Sequence, residues 1–283
     1  MHAPAAFLAL LLGFAQTPSA DPLTKARLAY NEHRYEDAIA AAKEASKLPA
    51  QVDAARLVMA RSLLERYRES VINAQDLAEA RRLLKNVDPG KLSARDDVEF
   101  QVGLGEALYL ENSFSAAAEF FSNALERSAA LDPEAREMVF EWWATNLDRQ
   151  AQFGPPAERR PLYARILERA DRELARRDTS AVALYWLAAA AQGVDDLERA
   201  WGAAQAGWIR GAHLGARGTQ LRVDLDRLVT QVILPERARR LTPEGDPRLA
   251  LASFIEEWEA LKARWGRVAV SAPAGRPTQR LLH

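Results

Sequence analysis

Cysteine is absent from the 283-residue chain, which excludes disulfides, thiol catalysis, cysteine-based zinc sites and a lipid-modified cysteine in one step. Histidine is scarce as well: His2, His33, His213 and His283 have no spacing from which a metal set can be built. The chain has no His-Glu-x-x-His helix, no Gly-x-Ser-x-Gly elbow and no glycine loop for phosphate, because Gly103 and Gly105 sit inside a helical pattern and serve packing. Neither charge is in excess: 38 Lys and Arg stand against 39 Asp and Glu, a formal charge of -1, so no global field draws nucleic acid or an anionic membrane. No cofactor, no metal and no nucleic-acid partner are expected. Long apolar runs are missing too. The run from Ala5 to Ala15 is too short to span a bilayer and suits the core of a signal peptide.

What is present is helix-forming material. The chain is 48% hydrophobic and 27% charged, Ala, Leu, Arg and Glu dominate, and almost no strand is expected. Residues 1–20 form the expected signal peptide, with His2 but no Lys or Arg at its start and small residues that allow cleavage after Ala15 or Ala20. That implies a periplasmic or secreted protein with no membrane span after cleavage. The length exceeds one compact domain, yet residues 21–268 contain no long polar linker. An elongated array, whose units bury their apolar faces against their neighbours, reconciles the two.

Residues 101–127 carry the clearest unit. Leu104, Leu108 and Leu110 fall near helical spacing around Gly105, where a neighbouring backbone could approach closely; Glu111, Asn112 and Ser113 make a turn; Phe114, Ala117, Phe121 and Ala124 then line one face at steps of three, four and three. This alternation of rings and methyl groups across a helix-turn-helix resembles the tetratricopeptide repeat of about 34 residues. The resemblance implies an all-α, right-handed α-α superhelix, a solenoid of about five helix pairs, over residues 21–211. Helices in 212–268 would cap it, and 269–283 would be a disordered tail.

Weaker copies flank that unit. Tyr35, Ala38 and Ala45 repeat the spacing after a turn at 31–34, and Leu197, Ala200, Ala204 and Gly207 repeat it after Asp195-Asp196. A second pair is expected at 53–66 and 74–87, and a fourth at 134–150 and 157–177, with Leu162, Ile166, Leu167 and Ala170 inward and arginines outward. Taking Ala38, Ala80, Ala117, Ala164 and Ala200 as equivalent gives gaps of 42, 37, 47 and 36, so the array is degenerate. A helix from about Thr219 to Leu234, then Pro235 with a short segment at 236–241, and a last helix from Pro247 to about Arg267 with Leu251, Phe254, Ile255, Trp258, Leu261 and Trp265 inward complete the chain.

Candidate chemistry is thin. Asp195 with Asp196, Asp224 with Asp226, and Glu256 with Glu257 are pairs of the kind that hydrolyse glycosides, but each stands at a helix start or on a charged face, where capping and solvation account for it. Of the seven tryptophans, Trp143 and Trp208 are the candidates for exposure. Arginines at 159–177 and 237–240 alternate with acids, as solvated helix faces do. The resemblance implies a concave face made by the first helix of each pair, holding a protein or peptide. Carried over by position, that face displays Arg27 and Tyr30, then Arg61, Glu106 and Tyr109, and Tyr185. The family's carboxylate clamp is not matched, since Val102 and Glu106 stand in place of Lys and Asn. The expected function is a non-catalytic envelope scaffold. A helical module of a peptidoglycan enzyme or its regulator, and a structural subunit of an envelope complex, are the alternatives.

Overall fold

Helix starts in this chain carry their own caps. Asp21, Ser93, Asp132, Ser180 and Asp196 each accept a backbone N–H from the first turn that follows, at 3.2, 3.1, 2.8, 3.0 and 3.2 Å. Pro22, Pro133, Pro156 and Pro247 occupy first positions, where a missing N–H costs nothing. The computed structural model describes residues 21–70, 74–127, 131–242 and 245–266; the expected signal peptide, its cleavage points and the expected tail lie outside them. Five helix pairs follow in order: α1 (Pro22–Asn31) with α2 (Tyr35–Ala45), α3 (Val52–Ser70) with α4 (Ala74–Lys85), α5 (Ala94–Leu110) with α6 (Phe114–Glu126), α7 (Pro133–Phe153) with α8 (Pro156–Arg176), and α9 (Ala181–Gly193) with α10 (Leu197–Gly211). Then come α11 (Gly215–Leu228), α12 (Leu234–Leu241) and α13 (Pro247–Trp265). Among the described residues there is no strand, and no helix is long and apolar enough to cross a membrane. The chain is an all-α solenoid.

Three of the pairs share one turn. His33, Asn112 and Asp195 take left-handed backbone at φ 61°, 59° and 80°. The next residue then donates its N–H back into the first helix: Arg34 to Ala29 O at 2.9 Å, Ser113 to Leu108 O at 2.9 Å and Asp196 to Ala191 O at 2.8 Å. This closes the helix end in a Schellman motif. The fourth pair differs, passing through extended Gly154 and Pro155 between two long helices. The repeat is thus tightest in the first, third and fifth pairs. Of the five alanines in the ruler, Ala38, Ala80, Ala117 and Ala200 are buried, but Ala164 is exposed. In α8 the inward face runs through Leu162, Ile166, Arg169, Ala170 and Glu173, which puts Ala164 on the other side.

First helices pack along the array, α1 on α3, α3 on α5, α7 on α9 and α9 on α11, while each second helix lies against the first helices beside it. Burial divides into two clusters that meet on α5. One spans α1 to α5 and is built of Ala and Leu with Tyr30 and Tyr35. The other spans α5 to α13 and holds Phe121, Phe140, Trp143, Trp186, Trp201 and Trp258. Rings fill the joint between them: Tyr109 of α5 lies edge-on to Trp142 of α7 at 5.0 Å, Trp142 stacks on Phe121 at 5.7 Å, and Arg68 of α3 lies over the same indole at 5.1 Å. The bare surface at Gly105 admits this Phe121 ring rather than a neighbouring backbone, since a Cβ there would sit 2.8 Å from a ring carbon.

Several sequence expectations are corrected. Helix α3 extends to Ser70, past the expected end at 66. Trp143 is buried and its neighbour Trp142 is the half-buried one, because the phase of α7 turns position 143 toward Phe140 and Arg169. Arg169 is buried, not outward, held by Glu173 at 3.1 Å and Glu126 at 2.6 Å. The short segment after Leu234 is a helix that runs on through Pro235 as α12. A π turn at Val229–Ile233, in which Leu234 N–H reaches Val229 O, precedes it, and the wider ring relieves the clash of the pyrrolidine with the carbonyl four residues back. On α13 only Trp258 is buried, while Ile255 and Trp265 are exposed, because one helix at the end of the array has a neighbour on a single side.

Candidate functional site

The row of first helices opens between α7, α9 and α11 into a groove of about 520 Å³. Glu141, Asp148 and Arg149 come from α7, Tyr185 and Trp186 from α9, and Arg217 and Asp224 from α11. Spacing explains the set: positions 141, 145, 148 and 152 follow one stripe of α7, and 217, 220, 224 and 227 one stripe of α11. Behind the groove Tyr163 of α8 donates its hydroxyl to Asp148 Oδ1 at 2.9 Å. It reaches there by lying across the end of α9, where a Cβ on Gly193 would come within 2.3 Å of the ring.

The charges of the groove are partly spent. Arg217 bridges Glu137 at 3.3 Å and Glu141 at 2.7 Å, and Arg227 lies 3.5 Å from Asp224. Asp148, desolvated and only partly compensated by Tyr163 and Gln152, has its carboxyl pushed above the ordinary range. Burial, followed by the carboxylates of Asp224, Asp148 and Glu141, pushes the Tyr185 phenol up to about 12, so it stays a hydrogen-bond donor. Trp186 is 6% exposed and its Nε1 has no hydrogen-bond partner among the described residues. Arg149 makes no ion pair among them either. The groove therefore sets the donors Tyr185 and Arg149 beside carboxylates of α7 and α11, a combination suited to the carbonyls and amides of an extended chain.

Of the residues expected on the concave face, the structure places Tyr185 in this groove and the others elsewhere. Tyr30, Arg61 and Glu106 are corrected from surface to core. Arg61 is 4% exposed, donating to Glu99 Oε2 at 3.1 Å and Tyr30 Oη at 3.0 Å, with Glu106 Oε2 3.3 Å from its Nε. Burial opposes the guanidinium charge, but Glu106, Tyr30, Glu99 and Glu65 outweigh it and hold Arg61 firmly protonated. Arg27 is half-buried and pairs with Asp96 at 2.6 Å, while Tyr109 belongs to the aromatic joint. Reasoning from sequence missed Arg149, Trp186 and Arg217. The signal for Arg217 lay in α11, assigned to the cap although it continues the row of first helices.

No group of His, Asp and Glu fit to hold a metal occurs among the described residues. No family model, no curated protein and no solved structure matches the chain.

Proposed function

We propose that this chain is a non-catalytic, tetratricopeptide-like scaffold with a right-handed superhelix, exported to the periplasm or secreted, that holds a protein or peptide partner along its first-helix row. The supporting observation is the groove between α7, α9 and α11, where the Tyr185 phenol and the exposed Arg149 guanidinium line one wall beside the carboxylates of Glu141 and Asp224, with the Trp186 ring behind them. An extended segment lying there would exchange its backbone groups with these side chains, and its side chains would choose between the arginine and carboxylate edges.

The test is affinity capture from the native envelope with the full chain and with the Tyr185→Ala/Arg149→Glu double variant. A partner that is retained by the parent and weakened at least about tenfold in the variant is expected, since loss of a hot-spot ring and reversal of a rim charge each cost on that scale. Unchanged retention by a variant with parental helicity would remove the groove from consideration.

A further inference from the structure

On the other layer, α4 and α6 stand apart and leave a second depression of about 610 Å³ with α5 as its floor. Leu104, Ala107 and Leu108 form that floor, and Phe120 of α6 closes one side. Leu104 packs on the first core and Leu108 on the second, so the depression lies over the joint between them. Three apolar side chains there, Leu104, Leu108 and Phe120, are only half-buried. The walls differ in charge. Arg81, Arg82 and Lys85 line the α4 side, whereas α6 contributes only Phe120. Arg81 donates to Glu111 at 2.5 Å and Arg82 grips Glu79 at 2.6 and 2.7 Å on the surface, while Lys85 makes no ion pair among the described residues.

We propose that this depression docks a partner-protein segment that is apolar along one side and acidic along the other. Its apolar side would cover Leu104, Leu108 and Phe120, removing half-exposed apolar surface from water. Its carboxylates would meet Lys85 directly, and Arg81 and Arg82 by exchange with their exposed acidic partners, because such surface pairs are weak and readily rearranged. The one-sided charge fixes orientation: the acidic edge lies along α4. Two helical walls around a concave floor suit a single segment, where a bilayer surface would need a convex or flat basic face. This site is independent of the groove between α7, α9 and α11.

The probe is a labelled synthetic helix of about 18 residues with Leu and Phe on one face and Glu on the other, titrated into the full chain. A second peptide carries Lys in place of Glu, and vesicles of anionic phospholipid form a third arm. The Glu peptide is expected to bind, to weaken with salt, and to protect the amides of α4 to α6 from exchange. The Arg81→Glu/Lys85→Glu variant should weaken it about tenfold and gain the Lys peptide instead, while Tyr185→Ala leaves both unchanged. The proposal is overturned if the Glu peptide does not bind, if the Lys peptide binds the parent as well, if protection falls outside α4 to α6, if Tyr185→Ala abolishes binding, or if vesicles displace the peptide.

Discussion

In the half built on α1 to α5, the guanidinium of Arg61 is buried among Ala and Leu together with the carboxylates of Glu65, Glu99 and Glu106. In the half built on α6 to α13 most of the large buried side chains are rings, a buried pair of Arg169 and Glu173 lies beside them, and cations lie over indole faces: Arg169 over Trp143 at 6.0 Å, Arg237 over Trp201 at 5.7 Å, Arg222 over the half-buried Trp208 at 4.9 Å and Lys262 over Trp258 at 5.8 Å. Both halves stack helix pairs in the same way, but they weight the same forces differently, the first leaning on the Arg61 network and the second on ring area. An ion network in a dry interior must overcome desolvation and so demands every partner; a ring core relies on area and tolerates its cations being moved. The first half should therefore be brittle toward loss of a charge and the second toward loss of volume.

Removing Arg61 tests this most severely. Arg61→Met leaves Glu99 and Glu106 without their cation and should destabilise the chain by about 3–5 kcal/mol in urea unfolding, while Arg61→Met/Glu99→Gln/Glu106→Gln recovers most of that. Trp258→Ala, in a fully buried position whose Nε1 donates to Asp226 at 2.7 Å, should cost a similar amount, about 3–5 kcal/mol, with amide exchange rising first in α11 to α13. If Arg61→Met stays within about 1 kcal/mol of the parent, the network does not bind α1, α3 and α5 together and the contrast between the halves collapses.

That contrast was only half legible in the sequence. Helix starts were, because Asp21, Ser93 and Asp196 cap through contacts three residues away. So was the third pair, since Phe121 and Ala117 declare their face by spacing alone. The fate of Arg61 was not: its partners come from α1 and α5, and no local pattern separates a charge that finds three carboxylates from one that meets solvent. Trp142 and Trp143 show the same limit, one residue of helix phase deciding which ring is buried. The groove was hidden for a further reason, as one of its walls, Arg217, Gln220, Asp224 and Arg227, belongs to α11, where small repeat residues fade and only packing on α9 reveals a continuing row.

Acid and base should separate the halves by sign. Glu99 is fully desolvated; Arg61 and Arg95 only partly offset this, Glu106 and Asp96 add to it, and its carboxyl is pushed up to about 7 from the ordinary 4.5. Tyr30 also faces the cluster through Arg61. Between those values the folded chain holds a proton that the unfolded chain has lost, so stability falls as pH rises from about 4.5 to about 7, by up to about 1.4 kcal/mol per pH unit. Glu99→Gln should flatten that slope in Tm measured from pH 4.5 to 8. In the other half, burial raises the Asp226 carboxyl but hydrogen bonds from Lys262 and Trp258 outweigh it and hold it below the ordinary value. Its contribution is complete above about pH 4 and lost on acidification, so Asp226→Asn should remove a loss at the acid end and leave the Glu99 slope intact. Equal slopes in parent and Glu99→Gln would show that Glu99 is solvated.

The finest comparison uses one substitution twice. Gly105 in α5 and Gly202 in α10 are both mid-helix glycines, and Ala at either gains up to about 1 kcal/mol from reduced backbone freedom in the unfolded chain. At Gly202 nothing lies within 4 Å of the new methyl, so the gain stands and Tm should rise slightly. At Gly105 the methyl would meet two carbons of the Phe121 ring at 2.8 Å, and Phe121 is wedged against Trp142 in the joint. Overpacking of about 1–3 kcal/mol exceeds the backbone gain, leaving a net loss of about 1 kcal/mol. Phe121→Leu in the Gly105→Ala background should return part of that loss, because the shorter side chain vacates the space the methyl takes. Should Gly105→Ala instead stabilise the chain as Gly202→Ala does, the rings at the joint repack freely, and the boundary between the two cores is softer than the stacking of Phe121 on Trp142 implies.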